Sequence, residues 1–251
     1  MNLLKTYYQD ANTLIYHADC REVLSSLAPA DCIIADPPYG ITSLKWDKVV
    51  EGWISKVNLS LQGSLWHFGS FKFFMEHADE FKEWRLAQDV VWEKHNGSGL
   101  HADRFKRVHE LVGHFYRKSQ RWSDVFKNPL YTTDETKRTT RTKRKPPHMG
   151  GIERPAYVSQ DGGPRLQRSI LKVRSCHGYA EHPTQKPIRL LQYLIEYSCP
   201  AGGLVVDPFM GSGATLLAAR SSGKKAIGIE IDEKYCEIAA SKLAQSQVIS
   251  A

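Results

Sequence analysis

The sequence has no pair of cysteines at metal-ligand or redox spacing. Its five cysteines, Cys20, Cys32, Cys176, Cys199 and Cys236, are scattered and odd in number. Reduced thiols are therefore expected, with neither a disulfide framework nor a zinc site. The ten histidines show no ligand spacing either, since even His101 and His109 stand eight apart, and no metal is expected. No apolar run approaches the roughly 20 residues that span a bilayer. The opening MNLLKTYYQDAN lacks the apolar stretch of a secretion signal, so the expected location is cytoplasmic, without membrane attachment. Acidic residues are scarce in one place. Between Lys137 and Arg174 stand eleven Lys or Arg against Glu153 and Asp161, a local charge of +9 in a chain whose total is +7. The remainder carries −2, so the basic character is confined to one segment.

What is present fits a single large α/β domain with a small insertion. The chain has 251 residues, 41% of them hydrophobic, enough for a substantial core. Alternation and apolar spacing predict strands at TLIYHADC, DCIIA, GSLWHFGS, LAQDVVWEK, ELVGHFYRK, LVVD and KKAIGIEID. Helices are predicted at REVLSSLA, WISKVNLSL, KFFMEHADEFKEW, after DPFMGSG, and over EKYCEIAASKLAQ. In PIRLLQYLIEYSCPAGG the residues Ile188, Leu191, Leu194 and Ile195 share one helix face, and Gly202 and Gly203 follow its end. Strands alternating with helices imply a mainly parallel sheet covered on both faces. Residues 119–173 differ: they are polar, basic and rich in Thr, Pro and Gly. They read as an irregular insertion between 1–118 and 174–251. A solvated loop would look the same, but a patch that binds a polyanion is the stronger reading, with Lys137, Arg138, Arg141, Lys143, Arg144 and Lys145 as its candidate contacts.

LVVDPFMGSGATLLAA runs from an apolar strand through Asp207 and Phe209 to Gly211 and Gly213, then into a helix. Glycines let a backbone turn sharply and approach a ligand closely. The next strand ends in Glu230, seventeen residues beyond Gly213, where a carboxylate can accept from both ribose hydroxyls of a nucleoside. The dinucleotide pattern needs a further glycine where Leu216 stands. S-adenosylmethionine, which has an adenosine and a zwitterionic tail but no pyrophosphate, fits better than NAD. An ordinary βαβ turn shares part of this pattern.

ADPPYG, residues 35–40, follows the strand Cys32–Ala35. That strand should deliver Asp36 to the carboxyl end of the sheet, where ligands bind in open α/β folds. Pro37 and Pro38 stiffen the turn but keep their carbonyls as acceptors. Asp36 and a neighbouring carbonyl can hold the two hydrogens of an exocyclic amine, and Tyr39 offers a face for a planar base. A rigid structural turn is the plainer alternative for this stretch alone.

Together DPPY, HPTQKP (residues 182–187) and DPFMGSG, in that order, resemble the β group of amino-methylating DNA methyltransferases, over nearly the whole chain outside 119–173. The resemblance implies a Rossmann-like methyltransferase fold. Its sheet is seven-stranded, mainly parallel and circularly permuted, because its usual first two strands lie last in the chain. It implies catalytic, base-holding roles for Asp36, Pro37, Pro38 and Tyr39. Asp207, Phe209, Gly211, Gly213 and Glu230 become cofactor positions. Asp19 falls near the cofactor's adenine, and Thr184 and Lys186 near its carboxylate.

The activity implied is methyl transfer from S-adenosylmethionine to the N6 amine of an adenine flipped out of DNA. Many members of the family are homodimers, which makes a homodimer an expectation here. N4-cytosine methylation is the nearest alternative, and such enzymes more often carry Ser at the Asp36 position. RNA or protein-amide methylation and an inactive DNA-binding module are more distant. Trp92 and Lys94 read equally as a wall of the base pocket and as packing residues. His109 and Glu110 read as the polar start of a strand more readily than as residues that orient DNA. Trp46, Trp53, Trp66 and Trp84 read as packing residues.

Overall fold

A computed structural model describes residues 5–40, 47–98, 102–132, 142–143, 157–158, 164–176, 178, 181–182 and 184–248. Its strands are β1 (Thr6–Gln9), β2 (Thr13–His17), β3 (Ala30–Ala35), β4 (Leu59–Gly69), β5 (Trp84–Ser98), β6 (Arg107–Arg117), β7 (Tyr131–Thr132), β8 (Thr142–Lys143), β9 (Tyr157–Val158), β10 (Arg165–Leu166), β11 (Ile170–Lys172), β12 (Leu204–Asp207) and β13 (Lys225–Glu230). Its α-helices are α1 (Cys20–Val23), α2 (Phe71–Glu76), α3 (Ile188–Ser198), α4 (Ala214–Ser221) and α5 (Glu233–Val248).

Nine strands form one sheet in the order β1-β2-β13-β12-β3-β4-β6-β5-β11. The run from β2 to β4 is parallel throughout, and β6 lies antiparallel between β4 and β5. The seven expected strands are all there. Two short edge strands extend them, β1 antiparallel to β2 and β11 parallel to β5. The permuted order is present too, since β12 and β13 fill the centre of a sheet whose flanks come from earlier in the chain.

Central strands are apolar on both faces because both faces are covered. In β3, Cys32 and Ile34 enter one core cluster with Trp66, Leu190, Leu191 and Leu194, while Ile33 and Ala35 enter the other with Trp53, Leu65 and Ile227. This doubly wound, Rossmann-like arrangement reverses direction between β3 and β12. Open α/β sheets form their ligand crevice at such a point.

Several local expectations need correction. WISKVNLSL is not a helix: Ile54–Lys56 make one 3₁₀ turn, and the chain then enters β4 at Leu59. Trp53 and Ile54 are buried, and the β4 register against β3 takes over the rest. KFFMEHADEFKEW splits after α2, where His77 leaves helical geometry and a 3₁₀ turn follows over Ala78–Phe81. On α3 the buried face is Leu190, Leu191, Leu194 and Ile195; Ile188 opens the helix and is 38% exposed.

The chain divides into a main unit, residues 1–128 and 169–251, and a second unit, 129–168. The second is narrower than the expected insertion because Val125 is 2% exposed, Phe126 N–H donates to the Gln62 carbonyl, and β11 joins the main sheet. Within the second unit β7 pairs antiparallel with β10, and β8 with β9. Of the candidate polyanion contacts only Lys143 is described, in β8; Lys137, Arg138, Arg141, Arg144 and Lys145 lie outside the described residues, as does Trp46.

Candidate active site

One cavity of about 1220 Å³ opens in the main unit at the carboxyl ends of the parallel strands. Eleven of the twelve candidate catalytic and cofactor residues line it: Asp36, Pro37, Pro38, Tyr39, Asp19, Thr184, Lys186, Asp207, Phe209, Gly211 and Glu230. Gly213 stands just behind, where the loop after β12 enters α4. Topology causes this convergence. β3 delivers Asp36 and its neighbour β12 delivers Asp207, while β13 ends in Glu230.

The loop after β12 is shaped by its own hydrogen bonds. Asp207 Oδ1 accepts from Phe209 N–H at 2.9 Å, and Met210 N–H donates to the Ile229 carbonyl at 3.1 Å. Gly211 and Gly213 adopt φ of +49° and +82°, the left-handed region that glycine enters without penalty. Gly211 N–H donates to Glu230 Oε2, and Asp232 N–H to its Oε1, each at 2.9 Å. The Glu230 carboxylate is thereby fixed at the cavity wall. Burial raises its pKa against those N–H groups. Asp207 is more enclosed, and burial pushes it up to about 7. Asp19 caps α1, accepting from Arg21 N–H at 2.9 Å and pairing with the Arg21 side chain, which holds its carboxyl below the usual range.

Across the cavity, Tyr39 donates its hydroxyl hydrogen to Asp36 Oδ1 at 2.5 Å, and its ring meets Phe73 edge-on at 5.5 Å between centroids. Gly40 N–H is held by Asp47 Oδ1 at 2.8 Å, closing the turn after the prolines. Thr184 is tied by N–H and hydroxyl to His182 Nδ1. Burial, then the nearby Lys186 charge, brings His182 down to about 4.

Lys186 was expected near the carboxylate of the cofactor, yet its ammonium pairs directly with Asp36 Oδ2. It also lies 3.4 Å from Glu110 Oε2. Glu110 is thus a cavity residue and not merely a polar strand start. No local pattern marks this role, because the contact depends on β6 lying between β4 and β5. Trp92 is a packing residue that also lines the cavity: its ring is buried, and its indole N–H donates to the Val173 carbonyl at 2.8 Å. Lys94 pairs with Glu110 and sits 4.8 Å over that ring. Trp53, Trp66 and Trp84 are packing residues in the core. All five cysteines are buried free thiols. Among the described residues no helix is long and apolar enough to cross a membrane.

A family model described as DNA methylase, of the N6/N4 type, matches residues 30–241. The chain belongs to that family. It is a DNA methyltransferase, and DNA is its substrate. The type II methyltransferase M.ScaI of Streptomyces caespitosus is 27% identical over 264 residues, covering 95% of this chain and 84% of the relative. The structure of M1.HpyAVI with S-adenosylmethionine superposes with a TM-score of 0.61 at 26% identity, covering 92% of this chain and 99% of that one. The cytosine-N4-specific PvuII methyltransferase shares the fold, with a TM-score of 0.62 at 16% identity over 94% of this chain and 88% of its own.

S-adenosylmethionine is the cofactor of this methyltransferase. The residues present suit it. The cradle at Gly211 is narrow: a Cβ there would lie 3.4 Å from the His182 ring. The cavity has volume for a nucleoside and a base together. Glu230 and Asp19 line it at the ends of β13 and β2, which lie on the other side of β12 from β3 and Asp36.

Proposed function

We propose that this DNA methyltransferase methylates the N6 amine of adenine. The observation that carries the reading is the Asp36 carboxylate, presented by the Pro37–Pro38 turn in the same cavity as the Asp207–Gly213 loop. An aryl amine is a weak nucleophile because its lone pair is delocalised into the ring. Asp36 and the Pro37 carbonyl accept its two hydrogens, which favours a pyramidal nitrogen with a localised lone pair. The carboxylate also opposes the positive charge that develops on that nitrogen, an interaction stronger in the transition state than in the ground state. Burial raises the Asp36 pKa, which suits it to take the proton the methylated nitrogen sheds.

When bound, the cofactor supplies a methyl group activated on a sulfonium. Glu230 would accept from the ribose hydroxyls, Asp19 would serve the adenine end and Thr184 the amino-acid end. Phe209 and the backbone of Gly211 and Gly213 shape the wall. Tyr39 stacks on the flipped base, and the cost of unstacking is offset by phosphate contacts from Lys137, Arg138, Arg141, Lys143, Arg144 and Lys145.

A carboxylate at position 36, rather than the serine more frequent in N4-cytosine enzymes, favours adenine. N4-cytosine is the second reading, because the fold is shared with a cytosine-N4-specific enzyme. Incubation with unmethylated DNA and labelled S-adenosylmethionine, then digestion and mass spectrometry, tests both. N6-methyladenosine as its deoxynucleoside supports the proposal; N4-methyldeoxycytidine replaces the base but keeps the chemistry.

A further inference from the structure

The ammonium of Lys186 lies between two carboxylates, in contact with Asp36 Oδ2 and 3.4 Å from Glu110 Oε2. Only 7% of the Lys186 side chain is exposed, and its Nζ sits 5.0 Å over the Phe68 ring, so the ammonium is largely shielded from solvent. A buried ammonium left unpaired is strongly unfavourable. Glu110 is fixed in turn. It faces Trp92 across the antiparallel β5–β6 ladder, on the same side of the pleat, and its Oε1 pairs with Lys94. The cluster thus holds two acids, Asp36 and Glu110, and two bases, Lys186 and Lys94.

Amine methylation needs the field of Asp36 at the reacting nitrogen. A carboxylate neutralised by direct contact with an ammonium loses much of that field. We infer that Lys186 and Glu110 form a positioning pair: Lys186 occupies Asp36 Oδ2 in the unloaded cleft, and Glu110 receives the ammonium when the target amine takes its place. This rests on the amine-methylation reading above. Glu110 is suited to the exchange. Burial alone would raise its pKa, but Lys186 and Lys94 outweigh that and hold it at about 2, so it stays anionic. The transfer of the ammonium breaks no covalent bond and moves no proton. It leaves Asp36 anionic, with Tyr39 still donating to its other oxygen.

The test compares wild type, E110Q, K186M and the double variant E110Q/K186M on unmethylated plasmid DNA at saturating S-adenosylmethionine. Single-turnover rate, KM for DNA and cofactor Kd are read for each. In E110Q the second acceptor is a neutral amide oxygen, too weak a partner to draw the ammonium away from the Asp36 carboxylate. The methyl-transfer rate should fall about 100-fold, with cofactor Kd and KM within about threefold. K186M should fall about tenfold, because Asp36 is then buried without its cation. The double variant should recover to the K186M rate, about tenfold above E110Q. E110D should keep most of the wild-type rate; if E110Q does not fold, E110A against E110A/K186M makes the same comparison. A wild-type rate in E110Q, a double variant slower than either single one, or a loss confined to cofactor Kd overturns the pair. Absence of any methylated nucleoside with wild type overturns instead the reading on which it rests.

Discussion

Tyr39 reaches back three residues along its own turn to donate a hydrogen bond to Asp36 Oδ1, so the ring and the carboxylate are positioned as one unit. Removing only the hydroxyl in Tyr39→Phe costs about 1 kcal/mol of that positioning, a fall in single-turnover rate of roughly fivefold to tenfold. Asp36→Ala should abolish detectable methyl transfer while leaving the cofactor Kd within a few-fold. Retained transfer in Asp36→Ala would remove the carboxylate from the mechanism.

Glu230→Ala should act on the other end of the cavity. The carboxylate accepts from Gly211 and Asp232 N–H groups, so its loss frees the loop as well as removing a ligand contact. Titration calorimetry should show cofactor affinity weakened about 10- to 100-fold, the value of one or two charge-assisted hydrogen bonds. An unchanged Kd would place the ribose elsewhere.

Two glycines with positive φ separate backbone strain from crowding. Gly202, at φ +65°, has no atom within 4 Å of an added Cβ, so Gly202→Ala costs only the left-handed conformation, about 1–2 kcal/mol. At Gly213, φ +82°, the Cβ would also come within 2.8 Å of the Ala239 Cβ. Gly213→Ala should therefore lose a further 1–3 kcal/mol or so, read by urea unfolding of the two variants. Equal losses would show that α5 yields freely at Ala239.

His114 lies flat on Trp66, with ring centroids 4.0 Å apart, and burial lowers its pKa from 6.5 to about 3. A histidine depressed in the folded state contributes stability that is present above about pH 6.5 and lost as pH falls towards about 3, because the unfolded chain takes up the proton first. His114→Phe removes that dependence. The stability of the variant relative to wild type should rise below pH 6.5 by up to about 1.4 kcal/mol per pH unit. Parallel unfolding curves at pH 7 and pH 5 would show that the ring titrates normally.

The strands that build the cavity were legible because fully buried parallel strands carry apolar runs, as in CIIA and LVV, and an acid follows each run at the sheet's carboxyl edge. Asp36, Asp207 and Glu230 could therefore be placed before the sheet order was known. Glu110 could not. Its meeting with Lys186, seventy-six positions later, requires β6 to lie antiparallel beside β4, and no local pattern encodes a strand order. The helix expected at WISKVNLSL failed for a related reason. Its apolar spacing suits either period, and the pairing of β4 with β3 decides the outcome. The six basic candidates read from composition were outside what spacing can position, since a charge run fixes no register.

The sheet's centre is its last part to be synthesised. β2 and β3 are near one another in sequence but are separated in space by β13 and β12, which follow some 170 residues later. During translation the N-terminal strands leave the ribosome with one long edge each unpaired, and that edge closes only when residues 204–230 arrive. A chain stopped before Leu204 would present two separate apolar edges in place of a shortened fold. The nascent methyltransferase therefore depends on release of its final fifth for protection from aggregation.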